Sequence, residues 1–316
     1  MALPMDPQIG AALARMVAAL GEVKPRPAVG DWRTRRENGN AMFGVWAALQ
    51  PFPTDVVTRD FSLRAHDGAD ILLRWFHKSG SRPGSAALYV HGGGMLLGSV
   101  DVYDEILRRY VSASGVPLFA VDYRLPPEHP YPTPVEDCYA GLQWLAGRAK
   151  ELGIDPARIA IMGDSAGGGL AAATALVARD RGGPPLAAQV LVYPMLDDRN
   201  TRPDPEIASS LTWSWDDNIT GWRALLGDNA GTDHVAPHAA PARATDLSRL
   251  PPTYLEVGQL DIFRDEGVAY AQRLQAHVPT ELHVHPGAPH GFELFAPDAD
   301  VSRRAIADRV RVLKSL

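Results

Sequence analysis

The stretch that decides the fold reads Arg158-Ile159-Ala160-Ile161-Met162-Gly163-Asp164-Ser165-Ala166-Gly167, followed by the alanine-rich run Leu170 to Arg179. An apolar strand, then Gly-x-Ser-x-Gly, then a helix is the setting in which a serine becomes a nucleophile. The turn from strand into helix is so sharp that its flanks must lack bulk, which accounts for glycine two places either side. Ser165 is then held on a strained turn, its hydroxyl exposed at the carboxyl end of the sheet with a helix N-terminus beneath it. The pentapeptide alone is a weak signal, because small residues recur by chance in Gly/Ala-rich sequence.

Working outward, the chain of 316 residues is long enough for one large domain or two small ones. Apolar residues make up 46% and charged residues 22%, as in an ordinary soluble enzyme. A net charge of −6 gives no basic footprint for nucleic acid. The single cysteine, Cys138, excludes an internal disulfide and suits a reducing compartment. The opening Met1-Ala2-Leu3-Pro4-Met5-Asp6 lacks the positive region of a secretory signal, and no run of about 18 apolar residues marks a membrane span. The expected address is the cytoplasm.

Residues 1 to about 52 read as two helices. Asp6-Pro7 supplies an N-cap and first helical position, and Ile9, Leu13, Met16, Val17 and Leu20 recur at helical spacing. Two hairpin strands follow at Val57 to Arg64 and Ile71 to Phe76. Strands are then expected at Ala86 to Val90, Leu118 to Val121, Ile159 to Met162, Gln189 to Tyr193, Thr253 to Val257 and Glu281 to His285. Helices are expected at Val135 to Leu152, Leu170 to Arg179, Asp265 to His277 and Asp298 to Leu313. This alternation implies a mostly parallel sheet covered on both faces, with ligand chemistry at the carboxyl ends of its strands. Leu196 to about His238 breaks the alternation. Its helical piece, Ile207 to Leu226, carries Trp213, Trp215 and Trp222. A connection this long is a lid or a functional insertion. Its tryptophans either pack it onto the body or face a substrate group.

A serine nucleophile needs a base, a group to orient that base, and donors aimed at the developing oxyanion. Asp261 follows the strand ending at Val257-Gly258, and His290 lies in Pro286-Gly287-Ala288-Pro289-His290-Gly291-Phe292. Both sit at the same sheet rim as Ser165. Asp265 and Glu266 suit a helix N-terminus better, and Glu256 lies inside a strand. His283 and His285 alternate on one strand face; with His290 they offer a zinc reading, but strand imidazoles are more often packed or exposed, and no metal is expected. The oxyanion donors are sought in His91-Gly92-Gly93-Gly94, directly after an apolar strand, and in the Ala166 amide. A plain glycine-rich turn is the alternative there. A phosphate cradle would require Gly-Lys-Ser/Thr, whereas Met95-Leu96 follows.

Taken together, these blocks closely resemble the bacterial hormone-sensitive-lipase-like (family IV) esterases of the α/β-hydrolase superfamily, in the Gly-Asp-Ser-Ala-Gly-Gly subgroup. The resemblance rests on His91 to Gly94, Asp122-Tyr123-Arg124-Leu125 with Pro127-Glu128-His129-Pro130-Tyr131-Pro132, Gly163 to Gly168, Asp261 to Glu266, and Pro289 to Phe292. It covers the chain from about Ser62 onward. It implies an α/β-hydrolase fold: a mostly parallel eight-stranded sheet flanked by helices, residues 53–195 and 239–316, capped by residues 1–52 and 196–238. It implies a triad of Ser165, Asp261 and His290, and an oxyanion hole of the Gly93, Gly94 and Ala166 amides. It implies a cofactor-free carboxylesterase acting on small-molecule esters, commonly cytoplasmic and often homodimeric. Lactone hydrolases and amidases use the same apparatus. The plant gibberellin receptor resembles the fold too, as a non-catalytic small-molecule-binding module, but it has lost the catalytic histidine, a position filled here.

Overall fold

The computed structural model describes residues 3–20, 25–48 and 50–316, with backbone only at residues 19 and 20. The first helices are α1 (Pro7–Leu20) and α2 (Trp32–Ala48). Asp6 caps α1, its carboxylate accepting the Gln8 and Ile9 amides at 2.8 and 3.2 Å. Ile9 and Ala12 are buried, with Leu13 and Met16 packed beside the core, while Val17 points to solvent. The side chain of Leu20, the last position of the expected stripe, lies outside the described residues.

The sheet has eight strands: β1 (Val56–Arg64), β2 (Asp70–Lys78), β3 (Ala86–Val90), β4 (Leu118–Val121), β5 (Ile159–Asp164), β6 (Gln189–Val192), β7 (Thr253–Leu260) and β8 (Thr280–Pro289). Their spatial order is β1-β2-β4-β3-β5-β6-β7-β8. β2 pairs antiparallel with both β1 and β4, and every later pairing is parallel. β5, which leads to Ser165, therefore lies mid-sheet between β3 and β6, and every one of its residues is buried. Such runs of apolar residues, without alternation, are what a sheet covered on both faces requires.

The covering helices are α3 (Asp104–Ser114), α4 (Thr133–Arg148), α5 (Ala166–Asp180), α7 (Arg264–Leu274), the single turn α8 (Phe292–Phe295) and α9 (Asp300–Lys314); α6 (Trp215–Leu226) belongs to the long excursion. α3 packs on α9 and α4 on α5. Helix α3 is an addition to the elements expected from the sequence; Ile106, Leu107, Tyr110 and Val111 recur at helical spacing and form its buried face, with Arg108 and Arg109 on the polar side. Four strands, β2, β5, β7 and β8, run past their expected carboxyl ends. β7 extends to Leu260 and β8 to Pro289, so Asp261 and His290 each follow a strand end directly.

α2 and α6 pack together. Arg35 of α2, buried, binds Asp217 of α6 at 2.8 Å, and the Gly30 amide donates to Thr220 Oγ1 at 3.0 Å. Ser214 and Asp217 form a reciprocal capping box at the start of α6. Among the described residues, no helix is long and apolar enough to cross a membrane.

Candidate active site

The nucleophile turn is built by close approach. A Cβ on Gly163 would lie 2.2 Å from the Gly167 carbonyl oxygen, and one on Gly167 would lie 2.1 Å from that of Val90. Only glycine lets β5 reverse into α5 against the neighbouring strand. Ser165 sits between them at φ 55°, ψ −123°, a region that side-chain-bearing residues avoid. Its amide donates to the Val192 carbonyl and its own carbonyl accepts the Met195 amide, so the end of β6 and the segment just after it fix the strained residue on both sides. Ala166 is the first residue of α5, so its amide has no partner within the helix.

The structure brings the three residues singled out from the sequence into one hydrogen-bonded chain. Ser165 Oγ lies 2.8 Å from His290 Nε2, and His290 Nδ1 lies 2.7 Å from Asp261 Oδ2. Asp261 is fully buried, and its other oxygen accepts the Phe263 amide at 2.9 Å. With the carboxylate as acceptor, Nδ1 carries the imidazole proton and Nε2 faces the serine as acceptor. The imidazole is held edge-on by Tyr193 and Phe263, with ring centroids at 4.6 and 5.1 Å. Thr212, from the long excursion, donates to the His290 carbonyl at 2.6 Å.

Tyr193 is itself anchored by a buried cluster. Its hydroxyl donates to Glu293 at 2.6 Å. Arg309 of α9, wholly buried, binds Glu293 and the Tyr110 hydroxyl, both at 2.6 Å, and Glu256 through two nitrogens. Burial opposes the charge on Glu256, but Arg309 and His285 outweigh it and hold the carboxyl down at about 2. Glu256 is thus a partner of Arg309 and His285.

Asp164, for which the sequence offered no role, joins the nucleophile turn to the glycine loop. Its buried carboxylate accepts from the Tyr89 and Tyr103 hydroxyls, each at 2.8 Å, and from the Gly92 amide at 3.1 Å. Burial raises its pKa, and the two phenols work against that rise. His91 braces the same loop: Nδ1 lies 2.8 Å from the Gly92 carbonyl, and the ring stacks on Tyr123 at 4.3 Å. Gly93 and Gly94 follow at φ 127° and 57°.

The remaining sequence readings sort by contact. Asp265 pairs with Arg264 at the start of α7. Glu266 is half-buried and does more than face a helix dipole. It accepts the Leu196 and Asp197 amides at 2.6 and 3.2 Å and the Asn200 side-chain amide at 2.7 Å, pinning the root of the excursion beside Asp261. His283 turns to Glu281 and His285 to Glu256. Among the described residues, no group of three or more His, Cys, Asp or Glu side chains is placed to hold a metal ion. Trp222 and Trp215 are buried, and Trp215 donates to Asn200 at 3.1 Å. Trp213 is half-buried and rests on the glycine loop: a Cβ on Gly94 would meet its ring at 2.2 Å.

A strained serine on the central strand, facing an imidazole backed by a buried carboxylate, is the site of a serine ester hydrolase, and relatives agree. Residues 87–294 match the family described as alpha/beta hydrolase fold, and the chain belongs to it. Carboxylesterase NlhH of Mycobacterium tuberculosis is 38% identical over 231 residues, covering 72% of each chain. Esterase LipI of the same organism is 40% identical over 216 residues, 66% of each. Among solved structures, a bacterial heroin esterase superposes with a TM-score of 0.87 at 38% identity, covering 98% of this chain and 97% of its own. An esterase of Pyrobaculum calidifontis gives 0.83 at 33% identity, covering 99% of both. Within the family, the chain is a hormone-sensitive-lipase-like carboxylic ester hydrolase.

Proposed function

We propose that the protein hydrolyses short- to medium-chain carboxylic esters through a covalent acyl-enzyme on Ser165, with His290 as base and acid and Asp261 as the group that orients it. The observation that carries this reading is the unbroken chain from Asp261 through His290 to Ser165, at 2.7 and 2.8 Å. His290 Nε2 takes the serine proton as Oγ attacks the ester carbonyl. The carbonyl oxygen becomes anionic beside the Gly93, Gly94 and Ala166 amides, each donor being worth roughly 3 kcal/mol in the transition state. The imidazolium, paired with buried Asp261, gives its proton to the leaving alcohol as the C–O bond breaks. A water then attacks the acyl group, His290 takes its proton, and the acid leaves as Oγ is reprotonated. Nothing in these steps calls on a cofactor.

In the same reading, α1, α2 and the excursion of residues 196–238 form a cap over the strand ends and decide which esters enter. The contacts of Thr212 with His290 and of Trp213 with Gly94 support it. The working form in this account is cytoplasmic and homodimeric, with support for pairing from the exposed Leu282 and Val284 on the edge strand β8. The test is turnover of p-nitrophenyl esters from C2 to C16 beside matched amides and lactones, in the parent and in Ser165→Ala. Preference for the shorter esters, lost in Ser165→Ala without unfolding, is expected. Faster turnover of the lactones or amides would reassign the substrate class while leaving the serine chemistry in place.

A further inference from the structure

The glycine loop is gripped from outside by two side chains of α2, one helical turn apart. Arg36 Nε donates to the Leu96 carbonyl at 2.5 Å, and Asn40 Oδ1 accepts the Gly98 amide at 3.0 Å. Spacing of i and i+4 puts both on one helix face. Arg36 is itself held as a rigid fork. Its remaining nitrogens donate to the Pro126 carbonyl at 2.8 Å and to both Glu128 oxygens at 2.7 and 2.9 Å, and its guanidinium lies over the Trp32 ring. Between the two contacts, the Leu97 side chain packs so closely on Gly39 of the same helix that a Cβ there would meet it at 2.5 Å.

The gripped turn controls a single peptide plane. The Gly93 carbonyl accepts the Leu96 and Leu97 amides at 2.9 and 3.0 Å. That carbonyl and the Gly94 N–H belong to one planar trans peptide unit, so they point in opposite directions. Whatever fixes the turn of residues 96–98 therefore aims the Gly94 amide away from it. On its other side, Gly94 is covered by the Trp213 ring and by α6, where a Cβ on Gly221 would lie 2.3 Å from the Gly94 carbonyl oxygen.

We propose that Arg36 and Asn40 are positioning residues for the oxyanion hole: through the turn of residues 96–98 they fix the peptide plane that directs the Gly94 amide. The role rests on the reading of Gly94 as an oxyanion donor. α2 is then part of the catalytic scaffold as well as a cover over the substrate.

The test measures kcat and KM for p-nitrophenyl butyrate, and the affinity of an alkyl trifluoromethyl ketone whose serine adduct carries the oxyanion, in Arg36→Lys, Asn40→Ala and Asn40→Asp. Arg36→Lys keeps the charge and loses the fork. Both it and Asn40→Ala are expected to lower kcat roughly tenfold, a fraction of the hundredfold or more that deleting a donor costs. The ketone should weaken by the same factor, with KM nearly unchanged. Asn40→Asp restores an acceptor for the Gly98 amide and should recover the parent kcat. Parent-like kcat in both Arg36→Lys and Asn40→Ala overturns the proposal. So does a rise in KM at unchanged kcat, or a fall in kcat with no change in ketone affinity. Ser165→Ala, run alongside, separates this from the underlying reading: turnover retained there defeats the serine mechanism, whereas its loss beside parent-like Arg36 and Asn40 variants defeats only the positioning role.

Discussion

Asp164 accepts the Gly92 amide at 3.1 Å, so the residue before the nucleophile holds the first turn of the loop that carries Gly93 and Gly94. Ser165 and the glycine loop are thereby one mechanical unit. In Asp164→Asn, an amide nitrogen replaces one oxygen and faces donors; the Gly92 amide keeps the Tyr103 hydroxyl at 3.1 Å, but one hydroxyl must turn round to accept and loses its charged acceptor. The expected cost is about 1–3 kcal/mol of stability. A loss of kcat should accompany it, read by urea unfolding and by ester turnover on the same preparation. Unchanged kcat in a folded variant would show that the glycine loop does not depend on this bond.

Arg309 is a single buried cation shared by Glu256 and Glu293. Replacing it with methionine leaves two carboxylates buried without their partner, and Arg309→Met is expected to lose about 3–5 kcal/mol in urea unfolding. Because Glu293 anchors Tyr193, which borders the His290 ring, surviving protein should also turn over more slowly. Full stability in the variant would mean that the cluster relaxes without its cation.

The same cluster sets an acid limit. Glu256 is held at about 2, below the ordinary 4.5, so its contribution is complete above 4.5 and is lost as pH falls from there towards 2. Unfolding free energy should therefore decline through that window, and Glu256→Gln should flatten the decline. Glu266 carries the opposite sign. Burial pushes its carboxyl well up, against the backbone amides that favour its charge. Its contribution is thus present at low pH and fades as pH climbs through the raised value, a dependence that Glu266→Gln should remove. Identical pH profiles in parent and variants would contradict both assignments.

Trp213 stands against Gly94 with part of its ring accessible. Trp213→Ala opens space beside Gly94, and the ratio of kcat/KM for longer over shorter p-nitrophenyl esters is expected to rise. An unchanged ratio would place the ring outside the acyl path.

Sequence reached some of these features more readily than others. The run from Ile159 to Arg179 is legible because a buried strand, a glycine-flanked turn and a small-residue helix each leave a local pattern. Asp261 and His290 stand out because each follows a strand, His290 after the alternating residues of β8 and just past its glycine- and proline-rich end. The sequence shows Glu266 only as a helix-dipole residue because its partners, Leu196, Asp197 and Asn200, lie some seventy residues earlier. Asp164 reaches Gly92 across 72 positions, and Arg36 reaches Leu96 across 60. Such contacts leave no periodicity in the chain; they exist only once strands and helices have been brought together. α3, by contrast, does carry a local pattern, Ile106, Leu107, Tyr110 and Val111 at helical spacing.

The covalent acyl-enzyme on Ser165 is tested most directly by acid quenching of the enzyme during turnover of p-nitrophenyl butyrate, followed by mass spectrometry of its peptides. A butyryl group is expected on the peptide containing Ser165, present in the parent and missing in Ser165→Ala, which should also lose all but about a thousandth of its activity. Turnover by Ser165→Ala at a substantial rate, or an acyl group found on another residue, would contradict that assignment.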